Sequence, residues 1–385
     1  MGTSSPEPGV PTAFSDISSF AVICDVEESK AGYNPEFSYG SHIFQDLVEA
    51  QILYTAVFRD ERTAYFSTEK LAGCKNIVNG FEGGEGLAEI VQVYDVSGKT
   101  FALDAMNDIY LQGSTLKLTC ENGYCIDSVF GGVTVEGNLT AEAGRGGGII
   151  AKEDISIDGT KTAINSFYSC IFTTDGGVSV KGRLDAKCTA KTTDVDLNGK
   201  TWADVRKKFD IRDAVHAKKD ITIKGSPVIV ESDGSCIQTG GKITIEGGIT
   251  AKSQNQTCVG GSGDVVINGL YHDLESGSYA IGGYNVSVTG NLTIKNFSSM
   301  KRVSIQPDGS LKWDKATTAG YGVWATKNTY LSGDSIKMIC TRDAIKSETV
   351  KIKGGKADLN ANSYCIDAAW AVCNYHTPIE AEAGK

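Results

Sequence analysis

The sequence predicts an all-β fold, a single-stranded right-handed parallel β-helix of about 22 residues per coil with a non-repeating N-terminal cap. Three observations carry this. First, a twelve-residue pattern returns along the chain: small–apolar–x–small, a short polar stretch, then apolar–x–apolar–x–Gly. Its copies start at Cys125, Cys170, Ala214, Cys236, Cys258, Ala280, Gly322 and Ala344, and from Ala214 to Ala280 each step is 22 residues. Second, the apolar–x–apolar pair in each copy is a period-2 strand with two residues facing inward, as in Ile221/Ile223, Ile243/Ile245 and Val265/Ile267. Third, the glycine after each pair permits a turn, and a third short strand follows, as in Leu116-Lys117-Leu118 and Ile336-Lys337-Met338. Units of this kind cannot bury an apolar face singly, so they stack into a solenoid. Parallel crossovers are almost always right-handed, which sets the expected hand.

In chain order, residues 1–13 read as a disordered lead-in, rich in Gly, Pro and Ser. Met1 to Thr12 shows neither a basic n-region nor an apolar h-region, so the chain as given carries no secretion signal. Residues 14–95 lack the period and read as a capping region, because a solenoid must close its exposed end against edge-to-edge addition. Within them, Ser41 to Val57 places Ile43, Phe44, Leu47, Val48 and Tyr54 as in an amphipathic helix or a helix-to-strand passage. Tyr65 to Gly80 reads as a degenerate coil. The β-helix is assigned to residues 96–385. Two intervals, 170 to 214 and 280 to 322, are close to two periods, and each is read as hiding one degenerate coil. They contain Thr193 to Asp213, with Trp202, and Asn296 to Thr318, with Trp313. Irregular segments on a rigid scaffold are where recognition is usually placed.

Composition narrows the partners. The net charge of −10 argues against nucleic acid and against anionic lipid, both of which need a cationic face. No run of 18 apolar residues occurs, so no membrane insertion is expected. Eleven cysteines is an odd number, and none forms a CxxC pair. At the first position of the repeat Cys exchanges with Ala, as a small buried filler does. Neighbouring parallel strands lie ~4.8 Å apart whereas disulfide Cβ atoms prefer ~3.8 Å, so a column of free thiols is expected. His42, His216, His272 and His376 are dispersed without metal-ligand spacing, and no motif asks for a metal or a cofactor.

The copies Ala214-Val-His-Ala-Lys-Lys-Asp-Ile-Thr-Ile-Lys-Gly225 and Cys236-Ile-Gln-Thr-Gly-Gly-Lys-Ile-Thr-Ile-Glu-Gly247 resemble the repeats of bacterial extracellular β-helix proteins of the carbohydrate-binding-domain-containing type, within the pectate-lyase-like superfold. The resemblance covers roughly residues 100–385. It implies an extracellular or cell-surface location and a glycan or cell-surface partner; a cytoplasmic one stays open. The same fold serves lyases, hydrolases, adhesins and tail spikes, so fold alone does not assign an activity.

Aligned on their glycines, the second strands present two outward columns. One is mostly hydroxyl: Tyr110, Thr134, Ser156, Ser179, Thr222, Thr244, Val266, Ser287, Tyr330 and Lys351. The other holds Gln112, Glu136, Asp158, Lys181, Lys224, Glu246, Asn268 and Thr289. Glu136 and Asp158 fall on adjacent coils, ~4.8 Å apart along the sheet, close to the ~5–5.5 Å between the carboxyls of a retaining glycosidase. A mixed-charge ladder on a solvated wall has the same appearance. Thr193 to Asp213 offers the Asp, Arg and Lys types that a calcium-dependent lyase uses, at no recognised spacing. Trp202, Trp313, Tyr321 and Trp324 could stack on sugar rings or form local core. The expected function is a non-catalytic binding or adhesion module, toward glycans. The alternatives are a polysaccharide lyase or glycoside hydrolase, and a structural stalk or tail-spike-like segment. Nothing in the sequence fixes an oligomeric state.

Overall fold

The computed structural model describes residues 17–23, 53–58, 63–67, 95–98, 102–105, 108–191, 212–297, 301–306, 310–315, 320–373 and 379–383. The chain divides into two compact units, Met1–Ser166 and Phe167–Lys385, and the regular coils of each form a parallel β-solenoid. No helix occurs among the described residues.

The first unit begins antiparallel. Leu53–Phe58 pairs with Ile17–Ile23 on one side and with Thr63–Ser67 on the other. The strand Leu53–Phe58 thus fills the end of the segment read as a helix-to-strand passage; 41–52 lies outside the described residues. Of the stretch Tyr65 to Gly80, Tyr65–Ser67 belongs to the antiparallel hairpin arm Thr63–Ser67, and 68–80 lies outside the described residues. The arm's link of residues 59–62 is too short for a parallel crossover, which needs a dozen residues or more. Residues 1–13 and the rest of 14–95 lie outside the described residues, apart from Ile17–Ile23 and the first residue of Asp95–Gly98. Three coils then stack in parallel, with Ile109, Val133 and Ile155 in register and Leu111, Val135 and Ile157 beside them.

The second unit repeats this coil of three walls, built from a short first strand, a second strand and a third strand. Ile223, Ile245, Ile267, Val288, Leu331 and Ile352 are successive register partners, all buried. Each contributes about 1.5–3 kcal/mol by leaving water. The parallel column beside it contains one polar member, Thr329, between Val286 and Val350. Its Oγ1 is buried without a hydrogen-bond partner. Thr329→Val keeps the branched shape and removes the orphaned hydroxyl, so it is expected to stabilise the fold by about 1 kcal/mol in urea denaturation.

The two long intervals do not hide coils. Ile171 pairs directly with Val215, and Ile281 directly with Val323, so each interval is one coil carrying an insertion. The second insertion folds as an antiparallel hairpin, Lys301–Ile305 with Leu311–Lys315, in a two-stranded sheet of its own. The first lies mostly in 192–211, outside the described residues.

The small column at the start of each coil is core. Cys125, Cys170, Ala214, Cys236, Cys258, Ala280 and Ala344 are all fully buried, and the eight cysteines resolved there and at the third corner are free thiols. Cysteine adds something alanine lacks. The Cys236 thiol donates to the Val230 carbonyl at 3.4 Å and the Cys258 thiol to the Glu275 carbonyl at 3.0 Å. Ser253 does the same with its hydroxyl, donating to the Gly234 carbonyl at 2.7 Å. These donors tie the small column to backbone carbonyls of the third strands, at Val230 and Glu275, and to the Gly234 carbonyl that follows one of them. Burial pushes the Cys188 and Cys340 thiols up to about 12, which keeps them as S–H donors and not nucleophiles.

Candidate functional site

The three walls differ in what they show to solvent. The second wall carries the hydroxyl column in the expected register, Ser179, Thr222, Thr244, Val266, Ser287, Tyr330 and Lys351. Beside it Lys224 and Glu246 pair at 3.2 Å. The third wall carries an alternating ladder in which Lys187, Glu231, Lys252, Glu275 and Lys295 are successive register partners. Lys187 meets Glu231 at 3.2 Å, and Glu275 is held between Lys252 at 3.2 Å and Lys295 at 3.5 Å. These ladders satisfy themselves at the surface and contribute little each.

The first wall of the second unit is different. Its outward column runs Phe172, His216, Gln238, Gly260, Gly282 and Trp324 in register, then Lys346 and Asp367. Phe172 stacks on the His216 ring at 5.1 Å between centroids and 22° between planes. Asp213, buried and accepting a hydrogen bond from the Ser235 N–H at 2.8 Å, fixes that ring through His216 Nδ1 at 3.0 Å. The next two planar groups, Gln238 and Tyr279, each lie against a glycine of the column. A Cβ on Gly260 would collide with Gln238 Oε1, and one on Gly282 would come within 2.7 Å of the Tyr279 ring. Tyr279 in turn leans on Trp324, with centroids 6.0 Å apart and planes at 38°. From Phe172 to Trp324 is five register steps of ~4.8 Å, so planar side chains are laid over roughly 24 Å. Lys346, bonded to Asp367 at 2.6 Å, ends the row with a neutralised pair.

The residues singled out from sequence fall as follows. Glu136 and Asp158 are register partners, both exposed on the second wall of the first unit. Trp202 lies outside the described residues. Trp313 sits half-buried in the hairpin opposite Val303. Tyr321 is buried, with the Arg342 guanidinium 4.8 Å above its ring, which withdraws it from solvent. Trp324 is 38% exposed and belongs to the planar row. Sequence reading missed Phe172, His216, Gln238 and Tyr279; for the first three the signal was the residue between the two inward positions of each first strand, whereas Tyr279 precedes the small column residue Ala280 and carries no such signal. Among the described residues no group of three or more His, Cys, Asp or Glu side chains could hold a metal ion, and no helix is long and apolar enough to cross a membrane.

Set against protein-family models, curated proteins and solved structures, the chain matches none. Function therefore rests on the geometry of the walls.

Proposed function

We propose that the second unit is a glycan-binding module and that its ligand lies along the first wall, parallel to the stacking direction. The planar row from Phe172 to Trp324 carries this reading. Sugar rings present apolar faces that pack on aromatic and amide planes, while their hydroxyls reach polar neighbours such as Gln238 and His216. The spacing of one coil is close to the length of one sugar in an extended chain, so a linear glycan meets successive planes without bending. The resemblance to bacterial extracellular β-helix proteins of the carbohydrate-binding type, in the pectate-lyase-like superfold, points the same way.

A glycan array followed by calorimetry on the best ligand tests the proposal. Trp324→Ala is expected to weaken binding about tenfold or more, the loss of one aromatic anchor. Tyr271→Ala, an exposed aromatic away from the first wall, serves as the control and leaves affinity unchanged. Absence of binding across the array, or equal affinity in the Trp324 variant, would sink the reading. The register pairing of Glu136 with Asp158 favours hydrolysis as a second reading. Release of reducing ends from a polysaccharide panel, lost in Glu136→Gln, would establish it.

A further inference from the structure

Gln238 stands near the middle of the planar row, two register steps from Phe172 and three from Trp324. It is half-buried, and its amide reaches over Gly260 of the next coil, where an added Cβ would collide with Oε1. Among the described residues nothing bonds to that amide. Amides on the neighbouring corners are already engaged: Asn255 Nδ2 donates to Asp233 at 2.8 Å, and Asn285 Nδ2 to Asp264 at 2.8 Å. Gln238 therefore offers an N–H donor and a carbonyl acceptor, held in one plane, to a ligand lying along the wall.

The charges around the row cancel or are taken up. On the corner between the first and second strands, Lys218, Lys219 and Lys242 are balanced by Asp175, Asp220 and Asp264. On the opposite corner Asp213 is bonded to His216, and Asp233 to Asn255. Lys346 at the far end is bonded to Asp367. A charged polymer would meet no concentration of the opposite sign here, so the row suits an uncharged one.

A free amide edge also tells uncharged sugars apart. A hydroxyl rotates and satisfies one of its two groups at a time. An acetamido group carries a donor and an acceptor in one plane and meets both groups together, while its methyl rests on the aromatic surface alongside. A ligand that covers Gln238 without supplying both partners leaves polar groups desolvated and unpaired, which costs affinity.

We infer that Gln238 is an acetamido-recognition subsite and that the ligand is a linear, uncharged glycan containing N-acetylhexosamine. The inference rests on the glycan reading of the first wall. Five register steps of ~4.8 Å accommodate about five sugars, with the sugar at Gln238 internal to the bound segment. Phe172 and Trp324 hold the flanking rings, and Gln238 selects the sugar between them.

A glycan array, followed by calorimetry with β-1,4-linked N-acetylglucosamine oligomers and with glucose oligomers of the same linkage and lengths, tests this. The acetamido series is expected to bind about tenfold or more tighter, the effect of two added hydrogen bonds. Its affinity should climb with length up to about five units and gain little from a sixth. Gln238→Leu is expected to bring the ratio of the two series toward one, whereas Trp324→Ala weakens both alike. An array led by glycans without acetamido groups, or equal affinity for the two series with Trp324 still required, overturns the subsite and leaves the glycan reading standing. A Gln238→Leu variant that keeps the preference does the same. Tighter binding of polygalacturonate than of either series would install an acidic ligand and overturn the inference. If no glycan binds at all, the glycan reading falls and the subsite falls with it.

Discussion

Gly247→Ala is expected to cost about 3 kcal/mol or more, among the larger single-residue effects on a fold. Gly247 ends a second strand with φ at +148°, a conformation that L side chains rarely adopt. It also lies directly over Gly225, so a Cβ would run into the Gly225 carbonyl and stand 3.3 Å from Ser226 Cβ. The obstacle is backbone, which cannot swing aside as a flexible side chain does. The Gly247 N–H is meanwhile held at 2.6 Å by the Asn268 carbonyl of the next coil, so relief in one direction breaks a bond in the other. Urea denaturation measures the loss as a lower midpoint at constant slope. Gly261→Ala is the comparison: its nearest neighbour would stand at 3.1 Å without unusual φ, and a cost under about 1 kcal/mol is expected. Equal costs at the two sites would refute the stacking argument.

Asp127→Asn is expected to stabilise the chain at neutral pH by about 1–2 kcal/mol. Asp127 is the outward residue of a first strand in the first unit, half-buried, with Asp104 and Ile150 as its register neighbours. Burial pushes its carboxyl up to about 6 from an ordinary 3.8. The folded chain therefore keeps a proton that the unfolded chain has lost between those two values. Stability from this group is full below pH 3.8 and falls as pH rises toward 6. The asparagine variant does not titrate, so the difference between the two stability curves should grow from pH 4 to 6 and then stay level. A difference independent of pH would assign the gain to something other than this carboxyl.

The inner columns were legible in the sequence because period-2 apolar pairs and a following glycine are local signals, and Ile221/Ile223 or Ile243/Ile245 carry both. The outward columns of the second wall were legible for the same reason, since counting back from Gly225 or Gly247 fixes them. The long intervals were misread because 44 and 42 residues are close to twice the period. Spacing cannot tell a degenerate coil from a coil with an insertion; only the direct pairings Ile171–Val215 and Ile281–Val323 do so. The planar row escaped for a different reason. Its members share a position but no residue type, and two of them are glycines that look like turn-formers. That Gln238 packs against Gly260 of the next coil, and Tyr279 against Gly282 of its own, depends on side-chain direction, which the repeat pattern does not encode.

The lysine–glutamate ladder of the third wall gives the solenoid a parity. Deleting the coil that carries Lys252 would set Glu231 against Glu275, and deleting the coil that carries Glu231 would set Lys187 against Lys252. Taking out both coils brings Lys187 beside Glu275 and restores alternation. Along this stretch the alternation survives when coils are added or removed in even steps and is broken by odd ones, so the ladder repeats every two coils although the structure repeats every one.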